Sequence, residues 1–177
     1  FMPKPFAHLT GNGLHVHSSL WDEATGTELF ADPSDPRGLG FSETAYHYVG
    51  GILEHAQALA AVTCPTVNSY KRMGVGAPVS GATWAPAFVT YGGNNRTQML
   101  RVSGANVENR ACDGAANPYL AFAVQLAAGL DGIDRRVDPG EPNRDNLYAL
   151  SPEELSQRGI RSLPPTLLHA VDELVDN

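Results

Sequence analysis

The sequence predicts an α+β fold, and three observations predict it. Extended, turn-bounded stretches come early, the segments with helical spacing dominate late, and no regular strand–helix–strand alternation joins them. The expected architecture is therefore an antiparallel sheet with flanking helices, not a doubly wound parallel sheet.

Gly11-Asn12-Gly13 marks a turn, and residues 14–20 alternate as a strand in which His15 and His17 share one face. Residues 22–41, rich in Asp, Pro, Gly and Thr, read as a surface loop. Ser42 is the N-cap of a helix predicted to run to about residue 62. Tyr46, Val49, Ile52, Leu53, Ala56 and Leu59 fall at helical spacing there, and Pro65 follows as the stop. Residues 73–95 carry Gly74, Gly76, Gly81, Gly92 and Gly93 around Pro78 and Pro86 without a helical period. They read as one long loop, of the kind that serves as a functional lid or is disordered. Strands are predicted near 98–102 and 107–112. Asn117 caps an apolar helix expected to end near residue 131, with Pro118 at its favoured first position. Residues 139–146 form a linker, Ser151-Pro152-Glu153-Glu154 is a capping box, and Pro164-Pro165 precedes a last amphipathic helix. The apolar segments 46–62 and 119–130 read as core and carry no assigned ligand.

Composition narrows the function classes. A chain of 177 residues with 42% hydrophobic and 18% charged residues is that of a globular domain. No apolar run approaches the roughly 20 residues that span a bilayer, so no membrane partner is expected. The opening Phe1-Met2-Pro3-Lys4-Pro5 is not a signal peptide and lacks an initiating methionine, which predicts that the sequence opens inside a longer chain. A net charge of −7 argues against nucleic acid. Yet Arg72, Arg96, Arg101 and Arg110 all fall in the middle third, a concentration that suits an anionic small molecule. Cys64 and Cys112 form no close-spaced motif and read as two buried thiols.

Several residues could carry chemistry, each beside a plainer reading. His15 and His17 on one strand face can ligate a divalent cation or touch phosphate, or can be two hydrogen-bonded surface imidazoles. Glu108 and Arg110 share a strand face as a plain salt bridge, or as a metal-ligating carboxylate beside an arginine that holds a substrate carboxylate. Arg96 and Arg101 flank a strand after Gly92-Gly93-Asn94-Asn95, a pattern suited to phosphate oxygens, though solvated surface arginine is the default for each alone. Phosphate-loop, dinucleotide and nucleophile-elbow motifs are absent from the sequence.

Taken together and in order, six stretches resemble the glutamine synthetase family. They are Phe1-Met2-Pro3-Lys4-Pro5, residues 11–20, Asn68-Ser69-Tyr70-Lys71-Arg72, Asn95-Arg96-Thr97 through Arg101, Glu108-Asn109-Arg110, and residues 114–120. The resemblance implies that residues 1–177 are the C-terminal part of that family's catalytic domain, with the β-grasp domain and further metal-binding glutamates lying upstream. It implies ATP and Mg2+ or Mn2+ as cofactors, glutamate and a small amine as substrates, and a cytoplasmic homo-oligomer of stacked rings with active sites shared between subunits. On this reading the segment alone is inactive. His15 and Glu108 take the place of metal ligands, and His17 and Ser19 lie near the nucleotide. Gly11 falls in the turn that touches glutamate, and Arg72 and Arg110 clamp its carboxylates. Arg96 and Arg101 match the arginines that neutralise the transferring phosphoryl group, Arg101 also facing the nucleotide. The reaction implied is ATP-dependent ligation of glutamate's γ-carboxylate to an amine through γ-glutamyl phosphate.

Three departures stand out. Where the common bacterial enzymes carry a glutamate before an Ala-Pro pair, this sequence has Trp84 before Ala85-Pro86. An indole accepts no proton from ammonium, but it forms an apolar or cation–π wall for an alkylammonium, worth roughly 0.5–2 kcal/mol. The pattern resembles the branch that makes γ-glutamylmethylamide, so methylamine or a similar small alkylamine is the expected acceptor. Ammonia is the alternative, and a catalytically inactive regulatory paralogue the alternative of another class. Thr10 stands where the commoner enzymes have asparagine at the glutamate site, and Asn106 where they have arginine near the nucleotide.

Overall fold

The computed structural model describes residues 2–73 and 85–177. The predicted loop glycines Gly74, Gly76 and Gly81, with Pro78 and Trp84, lie outside the described residues.

Among these residues four short strands form one sheet: β1 (Val16–Ser18), β2 (Tyr91–Gly92), β3 (Leu100–Val102) and β4 (Val107–Asn109), in the order β1-β4-β3-β2. The first three neighbours are antiparallel, as expected, but β2 joins β3 in parallel, so the sheet is mixed. The sequence reading placed β2 inside the long loop. A pair of residues is too short to show the period of two that betrays a strand.

Among the described residues six helices flank the sheet: α1 (Glu43–Glu54), α2 (Ala56–Thr63), α3 (Ser69–Arg72), α4 (Pro118–Arg135), α5 (Pro152–Gln157) and α6 (Leu167–Asp176). The caps follow the sequence. Ser42 accepts from the Ala45 amide, Asn117 from Tyr119 and Leu120, and Ser151 with Glu154 completes the capping box. The single helix expected from 42 to 62 is two, broken at His55. Helix α4 runs past the expected stop at 131, because Gly132 serves close packing rather than termination. A Cβ there would lie 2.2 Å from the His47 carbonyl oxygen, and one on Gly51 would lie 2.0 Å from that of Ala128. These two glycines let α1 and α4 cross with their backbones nearly touching. Alanine at Gly51 is expected to cost about 1–3 kcal/mol by forcing the helices apart, read as a lowered thermal midpoint.

The main core packs α1 and α2 against the sheet through Tyr48, Val49, Ile52, Met99, Leu100 and Val107. Only one face of α4 joins it, through Ala128 with Val124 and Ile133, while Ala121 packs in a smaller cluster with Val16, Cys112 and Ala116. Its outer stripe is exposed, with Tyr119 82% accessible and Phe122, Leu126 and Leu130 following it, so the reading of this helix as core holds for half its surface. Cys64 and Cys112 are buried free thiols. No helix among the described residues is long and apolar enough to cross a membrane.

The break at His55 has a use. Its Nε2 meets Asp131 of α4 at 2.9 Å and its Nδ1 meets Asn177 at the end of α6 at 2.8 Å. Burial opposes protonation, but the hydrogen bonds that the ring donates to Asp131 and Asn177 and the Asp131 charge together raise the pKa above 6.5. A raised folded-state pKa stabilises below the unfolded value and is lost as pH rises through the folded one. The parent is thus expected to lose about 0.5–1 kcal/mol above pH 6.5 that a His55→Gln variant does not lose, a small figure because Asp131 is well exposed. Thermal unfolding of both across that range checks it.

Candidate active site

The mixed sheet places its charged residues on one face by simple alternation. Arg101, Glu108 and His17 occupy one rung of β3, β4 and β1. His15 and Arg110 follow one step further along the same face, and all but His17 open into a cavity of about 300 Å3. The cavity is lined by Thr10, Gly11, Gly13, His15, Arg72, Ala85, Arg96, Arg101, Glu108 and Arg110. Its size suits a small-molecule site.

Glu108 is the hub. It is 2% exposed, and its carboxylate receives His15 Nδ1 at 2.7 Å, Arg110 Nη1 at 3.4 Å and an ion pair with Arg101 Nε. Burial works to raise its pKa, but the charges of Arg101, Arg110 and His15 hold it below the ordinary value. His15 shifts downward, first through burial and then through Arg110 and Arg72. It is therefore neutral at pH 7. With Nδ1–H donating to Glu108, Nε2 keeps its lone pair, the arrangement in which a carboxylate orients a histidine for metal binding. Among the described residues no group of three His, Cys, Asp or Glu side chains could hold a metal, so this chain offers a pair.

Four guanidinium groups line the cavity with that one carboxylate. Arg72, on the single turn of α3, is 5% exposed and donates to the carbonyls of Ala111 at 2.7 Å and Arg110 at 3.1 Å. Gly13 makes room for it, since a Cβ there would stand 2.7 Å from Arg72 Nη2. Arg101 also donates to Asn94 at 3.3 Å, and Arg96 reaches the pocket from the exposed turn before β3. A cavity with this excess of positive charge accepts a polyanion.

Of the residues singled out from sequence, Gly11, His15, Arg72, Arg96, Arg101, Glu108 and Arg110 converge. His17 and Ser19 do not enter the cavity. His17 points along the same face to Asn106, Nδ1 to Oδ1 2.8 Å, and Ser19 accepts from the Trp21 indole at 3.1 Å. Both are exposed, further along the strand. Trp84 lies outside the described residues, and Ala85 beside it lines the cavity. Sequence reasoning missed the staple between Lys4 and Asn68. The Lys4 amide donates to Asn68 Oδ1 at 2.6 Å, and Asn68 Nδ2 returns to the Lys4 carbonyl at 3.0 Å, tying the first segment to the residue that starts α3. Asn68 sits within a quoted motif, but nothing in a sequence pairs it with a residue 64 positions away.

A family model described as glutamine synthetase, catalytic domain, matches residues 1–177. The chain belongs to the glutamine synthetase catalytic-domain family. Among curated relatives of this glutamine synthetase domain, the glutamate–methylamine ligase of Methyloversatilis universalis is 52% identical over 171 residues, 97% of this chain and 38% of that protein. A glutamine synthetase of Rhizobium meliloti is 53% identical over 149 residues, covering 84% of this chain and 34% of that one. The chain thus spans between 34% and 38% of the length of these relatives. A solved GmaS/ADP complex superposes with a TM-score of 0.88 at 50% identity, covering 100% of the glutamine synthetase domain described here and 40% of that chain.

Proposed function

We propose that this chain is the C-terminal part of the catalytic domain of an ATP-dependent glutamate–amine ligase. The enzyme forms a γ-glutamyl amide through γ-glutamyl phosphate, with methylamine or a similarly small alkylamine as acceptor. The observation that carries the reading is the convergence of one buried carboxylate, one imidazole and four guanidinium groups in a single cavity.

An oxygen of glutamate's γ-carboxylate attacks the terminal phosphorus of ATP and ADP leaves. The amine then attacks the acyl carbon, and phosphate departs with the carboxylate oxygen. Charge spreads over phosphoryl oxygens with little covalent chemistry for the protein to perform, so fixed positive groups do most of the stabilising. Arg72 and Arg110 hold the glutamate carboxylates beside the Gly11 turn. Arg96 and Arg101 neutralise the transferring phosphoryl group, and His17 and Ser19 extend the strand face towards the nucleotide. His15 and Glu108 would hold Mg2+ or Mn2+, and the remaining ligands would come from outside the described residues. When bound, that cation neutralises charge on the terminal phosphates. Because the rest of the site lies in other parts of a ring-shaped cytoplasmic oligomer, this segment alone releases no phosphate.

The methylamine reading draws on Trp84 in place of an acidic residue and on the likeness to a glutamate–methylamine ligase. The ammonia reading draws on the similarly high identity to a glutamine synthetase. The test is phosphate release by the full-length protein with ATP, magnesium and glutamate, comparing methylamine, ethylamine, a polyamine and ammonia. A kcat/KM at least tenfold higher for methylamine than for ammonia is expected, about the reach of a cation–π and methyl contact. Preference for ammonia would leave a glutamine synthetase with an unusual loop.

A further inference from the structure

Charged and polar side chains make up most of the described lining of the cavity. Among its described lining residues, Ala85 alone offers a saturated side chain, and the others are charged, hydroxylic, imidazole or glycine. Ala85 is also held from behind: its carbonyl accepts a hydrogen bond from the Tyr148 hydroxyl at 2.6 Å. Tyr148 sits in a 3-10 turn, Leu147–Ala149, that is tied to the segment carrying Arg96. The Leu147 amide donates to Thr97 Oγ1 at 3.3 Å, and Asn95 Nδ2 donates to the Asp145 carbonyl at 2.7 Å, on either side of Arg96. Leu147 packs against Ala87 and Phe88, just beyond the Ala85 wall. The half-buried phenol lies close enough to Arg110 and Arg72 for their charges to oppose the rise in its pKa that burial causes.

We propose that Ala85 is the surface against which the acceptor's methyl group rests, and that Tyr148 is the positioning residue that sets it. The inference rests on the alkylamine reading above and deepens it. The arginines take the carboxylates and the phosphoryl group, and a methyl group gains nothing from a desolvated guanidinium. Among the described lining residues the saturated contact left is the Ala85 methyl, and burying one methyl against it is worth about fourfold in affinity. Freed from Tyr148, the Ala85 carbonyl loses the hydrogen bond that holds it and the wall no longer stands at a fixed distance.

The test is steady-state kinetics of the full-length enzyme, its Tyr148→Phe variant and its Ala85→Gly variant, with methylamine and with ammonia. The ratio of kcat/KM for methylamine over ammonia is expected to fall about three- to tenfold in Tyr148→Phe, the range of one lost hydrogen bond. The methylamine KM rises while kcat at saturation holds. Ala85→Gly lowers the same ratio about fourfold. An unchanged ratio in both variants overturns the proposal, as does an equal rise in KM for both amines, which is what general loosening of the cavity produces. The parent's own ratio reports separately on the acceptor reading, so failure of one is not mistaken for failure of the other.

Discussion

Replacing Glu108 by glutamine in the full-length enzyme is expected to lower kcat for glutamate-dependent phosphate release by about 10²–10³-fold. The carboxylate is buried, and it is the one negative charge among the described residues of the cavity. It orients His15 and holds Arg101 and Arg110 at once. Glutamine keeps the shape but removes the charge, so the arginines repel one another and His15 is left with at most a neutral amide oxygen to fix its Nδ1 tautomer. Manganese affinity, read by calorimetry with ATP present, is expected to weaken about 10–100-fold in the same variant. A variant with the parent's kcat and manganese affinity would remove Glu108 from the chemistry and leave it a structural ion-pair hub.

Arg72→Lys is the second large effect. Charge is conserved, yet the glutamate KM is expected to rise about 10–100-fold, since a point ammonium cannot reproduce a planar fork. The arginine already spends donors on the Ala111 and Arg110 carbonyls, locking the guanidinium in a plane beside the Gly13 turn. Lysine satisfies one carbonyl at most and leaves another buried and unpaired, costing about 1–3 kcal/mol of stability as well. Glutamate titration and thermal unfolding read the two losses. A variant with an unaltered glutamate KM would show that Arg72 serves only to brace the chain between α3 and β4.

Much of the site was legible because alternation on a strand is a strict rule. Glu108 and Arg110, two apart, had to share a face, and they do. The same rule put His17 on that face but could not show that its ring leans to Asn106, one rung beyond the cavity. Helix starts were legible from Ser42, Asn117 and Ser151, because a capping side chain acts on amides two or three residues ahead. Interior breaks were not. Whether His55 continues a helix is decided by Asp131 and Asn177, far away in sequence. Gly132 reads locally as a helix stop, and only the approach of α1 shows that it is there for room. The parallel strand β2 and the staple from Lys4 to Asn68 depend likewise on partners that no local pattern names.

The central claim, that the cavity joins glutamate to phosphate before the amine arrives, is tested most directly by isotope transfer. The full-length enzyme is given glutamate labelled with 18O in its γ-carboxylate, together with ATP and methylamine, and the released phosphate is weighed by mass spectrometry. Formation of γ-glutamyl phosphate transfers one labelled oxygen to each phosphate released. Phosphate that carries no label would mean that water, not the carboxylate, attacks ATP, and would contradict the account.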